Sequence, residues 1–367
     1  MIIRIVFLLV FLAMLIGGNL FLANKTAFYL NLSSKSLLAW VYGIVLFLSV
    51  FGIGFLANKK GLAYDVLYAV ATILFGLFII SFFILLGIEF FRLFLPFSKQ
   101  IYGIFAVVSI LSFTLYGLII SFSPIVKTIE VPIEGVQKEY HFIQLTDIHL
   151  GHLRGAKFLT KVVEKVNQQS PDAVFITGDI FDGDQKVNYE TIKPLEKVKV
   201  PVYAVTGNHD GYAGLSMVEG LLEKVGVRVL NNEIVVVDGI QLVGLFHMPA
   251  DEQSFDIHAS HSARTIKSVM SELNPSQLLP TILLHHSPHG VEYANKHGVD
   301  LFLCGHTHGG QMFPLTLLNR FIFPYNRGLH NYKGTSIYVS DGVGTFGPPL
   351  RIGTFSEITA IHVIPKK

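Results

Sequence analysis

Four apolar runs, about residues 2–23, 37–57, 66–88 and 101–123, fill the first third of the chain and limit what it can fold into more than any other feature. Each is near the roughly 20 residues an α-helix needs to cross a bilayer. Of the 28 Lys and Arg and the 26 Asp and Glu, only Arg4, Lys25, Lys35, Lys59, Lys60, Asp65, Glu89, Arg92 and Lys99 precede residue 125. Core helices of a water-soluble domain would carry a polar face, and none of these runs shows one. They predict a four-helix transmembrane anchor in residues 1–124 and an integral, multi-pass membrane protein held by the lipid bilayer. The first run carries Arg4 ahead of "IVFLLVFLAMLIGG", as a signal peptide would, but its apolar part is longer than a usual signal core and three more runs follow, so it reads as a retained helix. No histidine precedes His141, and Asp65 and Glu89 flank the third run, which argues against an ion path through the lipid. Basic residues flank both sides about equally and select no orientation. The sole cysteine, Cys304, excludes an intramolecular disulfide and names no compartment.

After Pro124 the composition changes. Residues 125–367 suit one globular domain, with "SPIVKTIEVPIEG" as the linker into it. This part carries slightly more acid than base, which makes nucleic acid a poor partner. Short β-branched runs ("YHFIQLTD", "DAVFITGD", "PVYAVTGNHD", "PTILLHH", "VDLFLCGH", "TSIYVSDG", "ITAIHVI") alternate with amphipathic stretches such as "AKFLTKVVEKVNQQ", whose Phe158, Val162, Val163 and Val166 share one helical face. "IVVVDG" and "IQLVGL" read as a hairpin around Asp238-Gly239. The alternation predicts an α/β domain of central sheets flanked by helices, with ligands bound beyond the strand ends.

Five of these strands end in residues fit for metal binding or acid–base chemistry: Asp147-Ile148-His149, Gly178-Asp179, Gly207-Asn208-His209-Asp210, His285-His286 and His306-Thr307-His308. One such ending is an ordinary turn, since Asp and Asn favour turns and a single His is usually satisfied by a hydrogen bond. Five together point to a shared site.

With these motifs in place ("TDIHLG", "TGDIFDG", "TGNHDG", "LLHHSP" and "GHTHGG", in that order) the sequence resembles the calcineurin-like metallophosphoesterases, in particular their membrane-anchored branch, over about residues 140–364. The resemblance implies a dinuclear centre: Asp147, His149 and His308 on one divalent ion, Asn208, His286 and His306 on the other, and Asp179 bridging both. Two such ions clamp phosphate oxygens and ionise a bridging water that attacks phosphorus. Mixed oxygen and imidazole donors suit Mn, Fe or Zn, and do not choose among them. If strand geometry continues to the motifs, its period of two turns Asp147 with His149, and His306 with His308, to one side. His209 is expected to donate a proton to the leaving oxygen, with Asp210 orienting its ring. The alternative for His209 is an electrostatic clamp on phosphate. Between His285 and His286, the family spacing from Pro288 favours His286.

Arg351, in "PPLRIG", either reaches a phosphate oxygen or pairs with Glu357. The other histidines read as surface or structural groups, with His258 and His261 in "FDIHASHS" the most open to another role. "MFPLTLLNRFIFPYNRGLHNY" (312–332) is either a packed loop or an apolar patch with cationic flanks beside the site. The function expected is a membrane-anchored phosphoester hydrolase acting on a membrane-associated or lipid-linked phosphate. An anchored phosphatase or phosphodiesterase for soluble substrates and a non-catalytic metal-binding sensor are the alternatives.

Overall fold

The computed structural model describes residues 2–183, 187–254 and 263–366. His258 and His261 lie outside the described residues. Two compact units emerge, one of Met1–Ile119 with Gly347–Leu350, the other of Ile120–Phe346 with Arg351–Lys367.

The first unit is helical: α1 (Ile2–Leu30), α2 (Lys35–Leu56), α3 (Leu62–Arg92) and α4 (Lys99–Ser121). Ser34 caps α2 by accepting from the Leu37 N–H at 3.2 Å, and Asp65 and Arg92 sit at the ends of α3 that suit their charges. Among the described residues, α2, α3 and α4 are long and apolar enough to cross a membrane. The expectation of four spans is thereby corrected to three; α1 is a helix, but the side chains of residues 2–8, 10 and 11, most of the first run's apolar start, lie outside the described set. Many outward side chains of these helices are apolar, including Trp40, Phe47, Phe51, Ile104 and Leu111. Glu89 was expected just outside the third span and is instead inside α3, which runs on to Arg92. Its charge is matched by Lys25 at 2.7 Å and Arg92 at 3.5 Å, and Tyr29 donates to it.

The second unit is built on two six-stranded sheets. The first has the order β1 (Ile125–Ile133), β12 (Glu357–Pro365), β2 (Tyr140–Leu145), β3 (Ala173–Thr177), β4 (Val202–Val205), β5 (Val227–Val229). The second runs β10 (Gly328–Tyr332), β11 (Thr335–Val339), β9 (Leu301–Cys304), β8 (Thr281–Leu284), β7 (Ile240–Gly244), β6 (Glu233–Val237). Strands β2 to β5 are mutually parallel, as are β7, β8, β9 and β11. Asp238 and Gly239, both at positive φ, close the predicted β6–β7 hairpin. The helices are α5 (Ala156–Gln168), α6 (Tyr189–Ile192), α7 (Asn208–Ala213), α8 (Leu215–Lys224), α9 (Ile266–Leu273), α10 (Val291–Lys296) and α11 (Leu315–Ile322).

Inner faces of the sheets meet through Phe142, Phe175, Val205, Leu242, Ile282, Leu301 and Tyr338. The apolar stripe of α5, Phe158, Leu159, Val162, Val163 and Val166, covers the outer face of the first sheet beside Ile143 and Val174. Ile266 and Val269 of α9 and Val291 of α10 cover the second beside Val243 and Phe302. The result is four layers, helix, sheet, sheet, helix, as the alternation of runs implied.

The stretch read as a linker is corrected. Residues 125–133 form β1, paired in parallel with β12 from Ile125↔Glu357 to Ile133↔Pro365. Pro132 and the charges of Lys127 and Glu130 masked it as coil; the strand tolerates them because it lies at the sheet edge. Glu357, at the start of β12, is buried, and one oxygen accepts from Tyr338 Oη (2.6 Å), Ser340 Oγ (3.0 Å) and Thr359 Oγ1 (3.0 Å). Its other oxygen lies 3.3 Å from Lys127 Nζ. The carboxylate therefore ties the two sheets together. Glu357→Ala strands these donors and is expected to cost about 3–5 kcal/mol, against a much smaller loss for Glu357→Gln. Thermal unfolding of the full chain in detergent checks this, and equal melting of the two variants refutes it.

Candidate metal centre

The carboxyl ends of β2, β3, β4, β8 and β9, drawn from both sheets, deliver the five motifs to one place. Asp147, His149 and His308 offer donor atoms that lie mutually within 4.8 Å; so do Asp179, His286 and His306, and so do His149, Asp179 and His209. His149 Nε2 is 3.1 Å from His308 Nε2, and His306 Nδ1 is 3.1 Å from His286 Nε2. Asp147 Oδ1 lies 3.4 Å from His308 Nε2, while Asp179 Oδ2 lies 3.2 Å from His286 Nε2 and 3.8 Å from His149 Nε2. Asp179 therefore stands between the two groups. Among the described residues, the buried side-chain oxygen of Asn208 has no hydrogen-bond partner.

Continued strand geometry does not bring the paired ligands together. β2 stops at Leu145 and β9 at Cys304, and Asp147, His149, Asp179, His306 and His308 all have positive φ, between 49° and 72°. Alternate left-handed residues turn each chain end back on itself and aim the side chains inward, a conformation that Asp and His adopt more readily than β-branched residues. Gly207 and Gly305 allow this crowding: a Cβ on the first would collide with the Asp179 carboxylate, and one on the second with Asp147 and Thr146. Backbone N–H groups hold the carboxylates, His306 donating to Asp147 (3.0 Å) and His209 to Asp179 Oδ1 (2.8 Å).

The charges are matched internally. Burial pushes the His286 imidazole down, but Asp179 outweighs it and lifts the group to about 10. Burial likewise acts to lower His149, and Asp182, Asp179 and Asp147 raise it above its ordinary value. Burial would raise Asp179, yet His286, His209 and His149 hold it well below the carboxylate range. His308 goes the other way, pushed down by burial and by His149.

The donors fit a metal. Two buried carboxylates, an amide oxygen without a partner among the described residues, and imidazole nitrogens turned toward one another at 3.1 Å form a set whose lone pairs divalent cations would satisfy.

The calcineurin-like phosphoesterase family model matches residues 140–310 of this chain. A metallophosphoesterase of Aquifex aeolicus is 32% identical over 231 residues, covering 61% of this chain and 85% of that protein. The chain belongs to the calcineurin-like metallophosphoesterase family. A metallophosphoesterase of Helicobacter pylori is 36% identical over 248 residues, 66% of this chain and 65% of that one. A Danio rerio relative, named a transmembrane protein with metallophosphoesterase domain, is 34% identical over 265 residues, 67% of this chain and 59% of its own length. The chain thus spans a little under two thirds of these last two relatives.

Two role expectations fail within this metallophosphoesterase site. Asp210 does not hold the His209 ring. Its oxygens are taken by the backbone N–H groups of Ile180 (3.0 Å), Phe181 (3.1 Å) and Gly207 (2.9 Å), so it staples the β3 and β4 loops together. Burial and Asp179 push it up to about 6. Arg351 is fully buried and reaches neither open site nor Glu357. Its guanidinium donates to the carbonyls of Asp341 (2.6 Å), Gly342 (3.0 Å) and Gly344 (2.6 Å) and to Thr354 Oγ1 (3.1 Å), fixing the closing loop behind Asp147. His285 is buried away from the ligand groups, with Nδ1 2.8 Å from the Ser287 carbonyl.

Asp182 is the group that sequence reading passed over. Its Oδ1 lies 3.2 Å from His149 Nδ1 and 3.6 Å from His209 Nδ1, and its carbonyl is 3.0 Å from that same His209 nitrogen. Burial would raise its pKa, but the His149 contact holds it low. A carboxylate behind a ligand imidazole fixes the tautomer and strengthens the other nitrogen as a donor. The signal was present in "TGDIFDG", as a second Asp three residues past Asp179. His247 stands near as well, its ring centroid 5.8 Å from those of His286 and His306.

Asp182→Asn is expected to weaken Mn binding by the full chain about 10–100-fold, read by chelator competition; unchanged affinity sinks the assignment. Metal uptake at His286 must also displace the proton that Asp179 holds there. That pKa is lifted to about 10, so the sign is proton release at pH 7, shrinking as pH rises towards 10. Calorimetry in buffers of different ionisation enthalpy measures it, and zero release at pH 7 contradicts the charge pattern.

Proposed function

We propose that this chain is a dinuclear-metal-dependent phosphoester hydrolase anchored in the membrane by multi-pass helices, residues 1–124 forming the helical anchor and 125–367 the catalytic domain. The observation that carries the reading is the convergence on Asp179 of two donor groups from two sheets. Asp147, His149 and His308 would hold one ion, Asn208, His286 and His306 the other, and Asp179 would touch both. Two divalent ions bound there, of Mn, Fe or Zn character, would clamp the phosphate oxygens and acidify a water for attack on phosphorus.

The chain's own residues supply the rest. His209 lies at the rim with its side chain 12% exposed, so it reaches substrate while Asp182 restrains its ring. From that position it donates a proton to the leaving oxygen. Aromatic rings border it: Tyr212 lies 5.4 Å and Phe346 5.7 Å from the His209 ring, and Phe323 lies 5.7 Å from His306. Tyr212 and Phe346 are about half exposed. A small soluble phosphate gains little from such a rim. A phosphoester on an apolar carrier gains contact area, which favours a membrane-associated or lipid-linked substrate over the soluble alternative. The non-catalytic alternative is disfavoured by the complete donor set with His209 beside it.

The full chain in detergent with Mn should hydrolyse p-nitrophenyl phosphate or its bis ester, and Asn208→Ala and His209→Ala should each lower turnover by at least about 100-fold. His209→Ala should cost least on esters with good leaving groups, which separates proton donation from an electrostatic clamp. Metal-loaded protein inert on both esters and on phosphatidic acid defeats the proposal.

A further inference from the structure

Helix α11 is built inside out. In a helix lying on a water-soluble domain, apolar side chains face inward and polar ones outward. Here the one buried position of the helix belongs to a polar residue, Asn319, whose amide reaches the Thr307 carbonyl at 3.5 Å. Leu317, Leu318 and Ile322 stand about half exposed, Phe321 is 88% exposed, and Phe313 just before the helix is more than half exposed. Leu318 and Ile322 are four residues apart, and Leu317 and Phe321 likewise, so they make one continuous stripe. Among the described residues nothing covers it. From Met312 to Gly328 the sequence has no acidic side chain, and Arg320 is exposed on the helix beside the stripe.

The position of the helix adds to this. Gly310 packs so closely on α11 that a Cβ there would meet Thr316, Leu315 and Asn319, and Thr307 Oγ1 donates to the Asn326 carbonyl at 2.5 Å just past the helix. The loop that carries His306 and His308 is therefore seated directly on the helix that carries the exposed stripe. The chain also brings its own apolar phase. Only Phe122, Ser123 and Pro124 separate the end of α4, long and apolar enough to cross a membrane, from the first strand of the second unit.

We infer that α11 is an interfacial docking helix. Leu317, Leu318, Phe321, Ile322 and Phe313 enter the acyl boundary of a bilayer and Arg320 meets anionic headgroups, so that the loop of His306 and His308 faces the lipid surface. A protein partner would be expected to present acidic or complementary groups around an enclosed pocket, whereas a one-sided apolar stripe with an arginine edge and no acid matches a headgroup boundary. This deepens the lipid-phosphate reading above. The docking itself is testable without it, and only the activity arm rests on it.

The test uses the full chain in nanodiscs of mixed phosphatidylcholine and phosphatidylglycerol, with nitroxide labels at Leu318→Cys or Phe321→Cys and a control at Glu164→Cys on α5. The single native Cys304 is buried. Labels at the first two sites should show oxygen access above that of a water-soluble relaxant, and the control the reverse. Water-exposed labels on α11 in folded, metal-binding protein overturn the inference. Dipolar broadening between two labelled copies, in place of oxygen access, makes the stripe a self-association surface and overturns it too. In the activity arm, Phe321→Asp and Leu318→Asp should lower turnover of phosphatidic acid in the bilayer by about tenfold or more while leaving p-nitrophenyl phosphate hydrolysis unchanged. If the labels are buried in lipid but the protein is inert on every ester, the docking stands and the hydrolase reading fails. If both esters fall alike, α11 is structural support for the metal loop.

Discussion

A single buried negative charge, the carboxylate of Asp179, organises the second unit of this molecule. It sits at the end of β3, accepts the N–H of His209 from the β4 loop, and lies against His286 from β8 and His149 from β2. Three of those elements belong to the first sheet and one to the second. A charge so placed is tolerated only if it is matched, because removing a carboxylate from water costs several kcal/mol unless a counter-charge and hydrogen bonds replace the solvent. Protons on His149 and His286 can provide that match, and cations can provide it with more charge in the same volume. The loops are thus shaped by a demand for positive charge between the two sheets, and metal affinity follows from the fold's own electrostatics.

The backbone takes part in meeting this demand. Five residues of the candidate metal centre hold left-handed conformations that cost roughly 1 kcal/mol or more each for a residue with a Cβ. That cost is supported by the layers beneath: the strands that end at these turns are buried on both faces and cannot relax without opening the core. Asp210 and Arg351 belong to the same support. One staples two loops through three backbone N–H groups, and the other gathers three backbone carbonyls of the closing loop. Both are charged side chains spent on holding backbone in place.

This explains which parts of the molecule were legible in the sequence. Strand runs, the α5 stripe and the five motif ends could be read because burial imposes a period and a turn imposes a residue type. Residues such as Asp210 and Arg351 could not be assigned correctly, since a charged residue near a motif looks the same whether it faces substrate or a row of carbonyls. Asp182 was missed for the opposite reason: it looks like a turn residue, and only the approach of His149 and His209 from other loops gives it a role. β1 escaped because an edge strand may keep charges and a proline. The stretch of α11 reads as either a packed loop or an exposed apolar patch with cationic flanks, since nothing local says which way its leucines and phenylalanines face.

The inverted helix and the buried site bear on one physical problem. A phosphoester carried on an acyl or polyprenyl chain is bound to its bilayer by about 0.8 kcal/mol per methylene. Lifting even ten methylenes into water would cost about 8 kcal/mol, as much as a micromolar binding site can return. A water-facing metallophosphoesterase pocket would therefore meet only the rare desorbed molecule. The cost falls if the donor groups come to the headgroup level and an apolar, aromatic lip borders the route. Tyr212 and Phe346 lie against the His209 ring and Phe323 against that of His306, and α11 extends that apolar margin outward from the loop of His306 and His308. An anchor alone holds an enzyme near a membrane; a site whose rim and seat are apolar also has somewhere to put the chain that stays behind.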